Sequence, residues 1–183
     1  VQDLAACYGF VDGPGFAEER LDVSREALSR IDPSWPCFTC ISSEHASAMR
    51  DRGDVEASLA FVDRQIARLV ERGERDAILD FPRDRVESLL SLGRYDEALV
   101  FVDQCEKRGR KDAHHRLSRR LDRARLLARL ERCDEALAQL PAIAEIEATP
   151  VFYWLWADAA TELAQRGALP NDAGLGRVLH GFI

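Results

Sequence analysis

Two cysteines are the residues whose type and spacing best suit chemistry: Cys37 and Cys40 bracket the string Cys-Phe-Thr-Cys. A structural zinc ion needs four ligands, and His45 follows at a zinc-knuckle spacing, but Arg50 stands where the fourth ligand belongs. Cys7 could supply that ligand only by folding back. A redox pair would need a thioredoxin-like strand pattern, which the sequence lacks. We therefore favour two small apolar residues packed at the start of a helix.

Other catalytic motifs do not occur in the sequence. The four histidines accompany no nucleophile in a recognisable motif, and there is no GxSxG, HExxH or phosphate-loop string. Carboxylates are plentiful, but they recur at helical spacing on polar faces, where solvation is the ordinary role. The sequence thus predicts a protein that is not an enzyme and has no cofactor.

The strongest electrostatic feature is the basic segment, residues 107–132. It holds 11 basic residues against three acidic ones, in a chain whose formal net charge is -7. One interpretation is a helix face whose arginines pair with acidic neighbouring helices, each exposed pair contributing about 0–1 kcal/mol. The other is an anion-binding strip for an acidic peptide, a phosphorylated partner or nucleic acid.

Repeats in the sequence indicate the elements that position these residues. Residues 53–63 (GDVEASLAFVD), 93–103 (GRYDEALVFVD) and 131–140 (ERCDEALAQL) align without gaps, at offsets of 40 and 38 residues. Gly167 lies another 36 residues on. Apolar residues recur at helical spacing on both sides of each repeat point, which predicts paired helices joined by a short turn.

Prolines refine the predicted helix boundaries. Pro82 is expected to begin a helix, and Thr149 before Pro150 reads as an N-cap followed by a first-turn proline. Pro141 either kinks or divides the helix that follows residue 134.

The segment GRYDEAL resembles the mid-repeat turn of a tetratricopeptide repeat (TPR). Gly93 occupies the small turn position, Tyr95 the aromatic position and Ala98 the small position where the two helices touch. Residues 131–137 and 53–59 match more loosely. The resemblance implies an all-α, right-handed superhelix of about four antiparallel hairpins. We assign these to residues 35–74, 75–111, 112–148 and 149–183, after a partial repeat in 1–34 and with a short C-terminal capping helix.

In that family the first helix of each repeat lines a concave groove that holds peptides. The resemblance therefore implies a protein–protein interaction scaffold or adaptor, with an acidic partner segment bound by arginines and an aromatic platform. Arg125 is expected to be exposed in this groove. The candidate partner-binding residues are Arg50, Arg83, Glu87, Leu121, Arg125, Arg129 and Trp154.

Two alternatives stay open. The first is nucleic-acid binding through residues 107–132, although no aromatic residues alternate with the arginines there. The second is a metal or redox protein that uses Cys37 and Cys40. The five unevenly spaced cysteines favour reduced thiols and a cytoplasmic location, the excess of arginine over lysine favours a bacterial source, and no apolar run is long enough for a membrane span.

Overall fold

The structure is a computed structural model that describes residues 13–74, 76–79, 81–109 and 112–169. Within these ranges every regular element is a helix, which confirms the all-α prediction. None of the helices in these ranges combines the length and the apolar composition that a membrane span requires. Short 3-10 helices occur at Gly13–Phe16, Ala77–Leu79 and Pro150–Phe152. The α-helices are α1 (Ala17–Arg30), α2 (Phe38–Asp51), α3 (Val55–Glu71), α4 (Pro82–Ser91), α5 (Tyr95–Arg108), α6 (Ala113–Arg129), α7 (Cys133–Gln139), α8 (Ile143–Glu147) and α9 (Tyr153–Gln165).

All four predicted turns contain one residue with a left-handed backbone. The φ angle is +95° at Gly53, +70° at Gly93, +61° at Glu131 and +66° at Gly167. In each turn the amide of this residue donates to the carbonyl three residues earlier, at 2.9–3.0 Å. This hydrogen bond occupies a carbonyl that would otherwise lack a partner at the end of a helix. The predicted turn positions are confirmed.

A small residue lies five positions after each of the first three turns and is completely buried. Ala98 and Ala136 occupy this position as expected, and Ser58 occupies it in the first turn. A serine is tolerated because its hydroxyl donates to the carbonyl oxygen of Ala46 at 2.8 Å. A polar group buried in this way remains satisfied by a hydrogen bond, so the close helix contact is kept.

The prolines act at helix boundaries. Pro82 is the first residue of α4, as predicted. Thr149 occupies the N-cap position and Pro150 the first turn of a 3-10 helix before α9, as predicted, but the Thr149 side chain makes no capping hydrogen bond. Pro141 divides α7 from α8, and its carbonyl accepts a hydrogen bond from Trp156 Nε1 at 2.9 Å.

The chain forms two compact units, Val1–Gly93 and Arg94–Ile183. In the first unit α1 to α4 pack around Phe38, Val62 and Phe81, which are almost completely buried. In the second unit α9 packs on α6, and Leu121 and Trp156 lie in their common core. The four hairpin ranges and the handedness of the array stay predictions, and the predicted capping helix lies outside the described residues.

We predict that Gly93→Ala destabilises the protein by about 1 kcal/mol, because an L-residue with a side chain is strained at a positive φ. An added Cβ would meet no atom within 4 Å, so the effect reports the backbone alone. Chemical denaturation measures it. The control is Gly15→Ala, where the site is equally open and φ is not positive.

The reciprocal change, Glu131→Gly, should stabilise the protein by about 0.5 kcal/mol, since relief of strain exceeds the added entropy of the unfolded chain. Equal effects of the alanine changes at Gly93 and Gly15 would contradict this account of the turns.

Candidate functional site

The facing sides of α6 and α9 form a ladder of charged side chains in the second unit. Arg125 and Arg129 lie one turn apart on α6, and Asp158 and Glu162 lie one turn apart on α9. Side chains four residues apart project from the same side of a helix. The two arginines therefore meet the two carboxylates in sequence order: Arg125 pairs with Asp158 and Arg129 with Glu162.

Arg125 is buried, with only 6% of its surface exposed, which corrects the prediction that it lies open to solvent. Its Nε donates to Asp158 Oδ2 at 2.6 Å, and its Nη1 lies 3.7 Å from Asp122 Oδ1. The guanidinium carbon lies 5.7 Å from the centre of the Trp154 ring, within the range of a cation–π contact. Two carboxylates and an aromatic face thus hold this charge inside the unit.

The next pair in the ladder has the opposite balance of charge. Glu162 is buried and accepts from two arginines, Arg129 of α6 and Arg166 just beyond α9. Arg129 itself is exposed. One carboxylate between two guanidinium groups leaves an excess of positive charge at the solvent-facing end of this ladder.

The two apolar members of the predicted groove differ in exposure. Leu121 has no exposed surface and lies in the core with Phe152 and Trp156, so its predicted place on an open groove is a second correction. Leu121 is buried because α9 covers the side of α6 on which it lies. Trp154 is half-buried, with one face toward Arg125.

In the first unit the predicted residues lie on α2 and α4. Arg50 is half-buried, and its Nη2 lies 3.3 Å from Asp84 Oδ1, in the first turn of α4. On α4, Arg83 is exposed and Glu87 is half-buried. Arg50 is therefore held partly inside the unit by its ion pair with Asp84. The side chain of Arg83 lies at the surface.

Several arginines of the basic segment pair with carboxylates, as expected from the interpretation that this helix face pairs with acidic neighbouring helices. Arg120 binds Glu145 at 2.9 Å, and Arg123 binds both Asp103 and Glu106. Burial lowers the pKa of Arg123, but the hydrogen bonds to these two carboxylates raise it more, so the net shift is upward. Charges held in this way attract phosphates less than unpaired ones, which does not favour the nucleic-acid alternative.

The Cys-Phe-Thr-Cys string begins α2, but Cys37 and Cys40 are both exposed, which corrects the prediction that they pack as apolar residues. The helix turns Phe38 inward instead, and Phe38 has no exposed surface. Among the residues that the structure describes, no group of three His, Cys, Asp or Glu side chains could hold a metal ion. Cys7 lies outside that part of the chain.

His45 belongs to the core of the first unit and not to a zinc site. Its Nδ1 lies 2.7 Å from the hydroxyl of Ser24, and its ring packs against Phe61 at 4.7 Å between centres. Burial lowers the pKa of His45 to about 4, with smaller contributions from the positive charges of Arg25 and Arg52. His45 is therefore neutral at physiological pH.

Comparison with known proteins identifies the fold. No protein-family model and no curated protein sequence matches the chain. Among solved structures, it is similar to a Podosopora anserina protein described as a kinesin light chain with nearly identical TPR-like repeats. The TM-score is 0.60 at 15% sequence identity, over 98% of this chain and 90% of that chain. The chain has a TPR-like repeat fold. A single-residue variant of the same protein matches with a TM-score of 0.61, also at 15% identity and over the same shares of both chains.

The repeats share a carboxylate position that was not predicted from the sequence. A carboxylate stands nine residues before every turn residue, in the helix that precedes the turn. Each of these carboxylates contacts an arginine, so the position organises the charged interior. The spacing from the turns could have revealed the set, which consists of Glu44, Asp84, Asp122 and Asp158.

We predict that Arg125→Ala destabilises the protein by about 1–2 kcal/mol, because it removes a buried guanidinium that pairs with Asp122 and with the partly exposed Asp158. A double-mutant cycle with Asp158→Ala should give a coupling energy above 1 kcal/mol in denaturant titrations. Arg108→Ala, at an exposed arginine of α5 in the same unit, is the control and should change stability by less than 0.5 kcal/mol, within the usual range for surface substitutions (about ±0.5 kcal/mol). Near-zero coupling would show that the pair is not structural.

His45 should make the protein less stable as the pH falls from 6.5 to 4. The unfolded chain takes up this proton near pH 6.5 and the folded protein only near pH 4, so acid favours unfolding throughout that window. The expected loss is on the order of 2–3 kcal/mol, measured by urea denaturation at several pH values. His45→Asn should weaken the dependence of the free energy of unfolding on pH. The control, His114→Asn at an exposed histidine, should not.

Proposed function

We propose that this chain is a non-catalytic scaffold or adaptor that binds an acidic segment of a partner protein. The observation that carries the proposal is the exposed end of the α6–α9 ladder, where Arg129 and Arg166 share the single carboxylate of Glu162. Their guanidinium groups are already oriented by that carboxylate, so a partner carboxylate meets preordered donors. The charge excess also attracts acidic segments before contact.

The remaining predicted residues divide into contact and support roles in this proposal. In the second unit Arg129 and Trp154 reach the surface in whole or in part and are assigned to contact with the partner. In the first unit the exposed Arg83, with the half-buried Arg50 and Glu87, is assigned to a contact of its own. Leu121 and Arg125 are buried and support the contact residues from beneath.

The TPR-like fold supports a scaffold, because arrays of paired helices present extended surfaces of the kind used for protein partners. Fold alone does not decide function, so the proposal depends on the charged ladder. A cytoplasmic, bacterial setting belongs to the same proposal and is supported by the cysteine pattern and the arginine bias. The metal, redox and nucleic-acid alternatives receive no comparable support from the described residues.

The proposal is tested with a fluorescein-labelled octaglutamate peptide, with octalysine and octaserine peptides for comparison. Fluorescence anisotropy should show binding of octaglutamate alone, and its affinity should fall as salt rises, because screening weakens exposed charge pairs. Arg129→Glu should weaken binding at least tenfold.

Arg108→Glu makes the same change of charge on α5 and should alter the Kd less than twofold. The proposal fails if octaglutamate does not bind at millimolar concentration, or if both variants weaken binding equally.

A further inference from the structure

The turn between α1 and α2 exposes the side chain of a tryptophan. Trp35 has 59% of its surface exposed, although tryptophan is a large aromatic residue that folded proteins usually bury. It lies between Pro33 and Pro36, whose rings restrict the backbone. Its amide donates to the carbonyl oxygen of Asp32 at 3.0 Å, and its carbonyl oxygen accepts from the amide of Phe38 at 2.9 Å. An ordered turn thus presents this ring, so its burial by a partner costs little backbone entropy.

Two arginines of α3 lie beside this turn. Arg72 forms an ion pair with Asp32 at 3.0 Å, just before Trp35 in the chain. The guanidinium carbon of Arg68 lies 5.6 Å from the centre of the Phe38 ring, just after Trp35 in the chain. The two arginines therefore meet the turn on either side of the tryptophan.

Arg64 lies one helical turn before Arg68, so both side chains project from the same side of α3. Both arginines are exposed, and no carboxylate in the described part of the chain forms an ion pair with either. Of the acidic residues near them, Asp32 is already paired with Arg72. Glu71 is exposed, three residues after Arg68. Three arginines thus face two carboxylates, and the guanidinium donors of Arg64 and Arg68 stay available to the carboxylates of a partner.

Trp35, Arg64 and Arg68 together form the tryptophan patch, and its spacing suits an extended segment. Residues four apart on a helix are separated by about 6 Å along its axis, at a rise of about 1.5 Å per residue. In an extended segment, side chains two residues apart lie on the same face, about 6.6 Å from each other. Carboxylates at alternate positions therefore reach both arginines, and the next alternate side chain continues toward Trp35.

We propose that the tryptophan patch binds an extended segment of a partner protein in which two acidic residues and then an aromatic residue occupy alternate positions. The carboxylates accept hydrogen bonds from Arg64 and Arg68, and the aromatic ring packs on Trp35. Tryptophan and arginine are the residue types that most often dominate binding energy in protein interfaces. The patch belongs to the first unit and the α6–α9 ladder to the second, so either site can fail without the other.

The test uses the peptide fluorescein-Glu-Ser-Glu-Ser-Phe-Ser-amide, with fluorescence anisotropy as the measure of Kd. It should bind at least tenfold more tightly than the version with Ser in place of Phe, or the version with Gln in place of both Glu. The isomer Glu-Glu-Ser-Ser-Phe-Ser places its carboxylates on opposite faces and should bind at least threefold more weakly. In NMR spectra the indole N–H signal of Trp35 should shift, whereas that of Trp156, which donates to Pro141, should not.

Matched variants assign the site. Arg64→Glu should weaken peptide binding at least tenfold, whereas Arg25→Glu, the same change at an exposed arginine of α1, should alter it less than twofold. Trp35→Ala should also weaken binding at least tenfold, and Val151→Ala, at an exposed apolar residue of the second unit, less than twofold. Circular dichroism checks that all four variants remain folded. Arg64→Glu should leave octaglutamate binding at the ladder within twofold, and Arg129→Glu should do the same for this peptide.

Five results would overturn the proposal. Equal affinity of the Phe and Ser versions would show that the tryptophan makes no contact, and equal affinity of the isomer would contradict the extended geometry. Tighter, Trp35-dependent binding of a ten-nucleotide oligothymidylate would indicate a nucleic-acid site. A dimer in analytical ultracentrifugation that Trp35→Ala abolishes would show that a second copy of the chain covers the patch. Absence of peptide binding at millimolar concentration would show that the patch takes no such segment.

Discussion

A left-handed residue between successive helices is the constraint on which the helical repeats depend. At Gly53, Gly93, Glu131 and Gly167 the backbone adopts a positive φ, and the amide there closes the end of the preceding helix. The next helix begins within two residues at the first three of these turns. The small residue five positions later, Ser58, Ala98 or Ala136, is completely buried at the first three turns. Three of the four positions are glycines because glycine alone adopts this conformation without strain.

Charge pairing is the second organising force of this chain, in which 31% of the residues are charged. Carboxylates nine residues before the turns pair with arginines, among them Arg50 and Arg125. Other carboxylates pair with Arg120 and Arg123 of the basic segment. The function proposed for the protein depends on the positive charge that carboxylates do not neutralise. Surplus positive charge remains at the end of the α6–α9 ladder, where Arg129 and Arg166 share Glu162, and this is the proposed binding site for the partner.

The elements were predictable to a greater degree than the site. The four turns and the start of α4 at Pro82 followed from repeats and local residue preferences, which act over a few neighbours. The positions of Arg125 and Leu121 were wrong because burial depends on the helix that packs opposite. The exposure of Cys37 and Cys40 was missed for a related reason: Phe38, between them, occupies the inward position at the start of α2.

The sequence by itself determined that the chain is helical, where the helices turn and which residues repeat, because hydrophobic spacing and turn chemistry are local properties. Only the tertiary structure decided which arginines are internal and which are exposed. Arg125 and Arg129 lie one turn apart on the same face of α6, and nothing in their local sequence separates their roles. Arg125 is buried because Trp154, Asp158 and Asp122 surround it, whereas Arg129 lies at the exposed end of the ladder and shares Glu162 with Arg166.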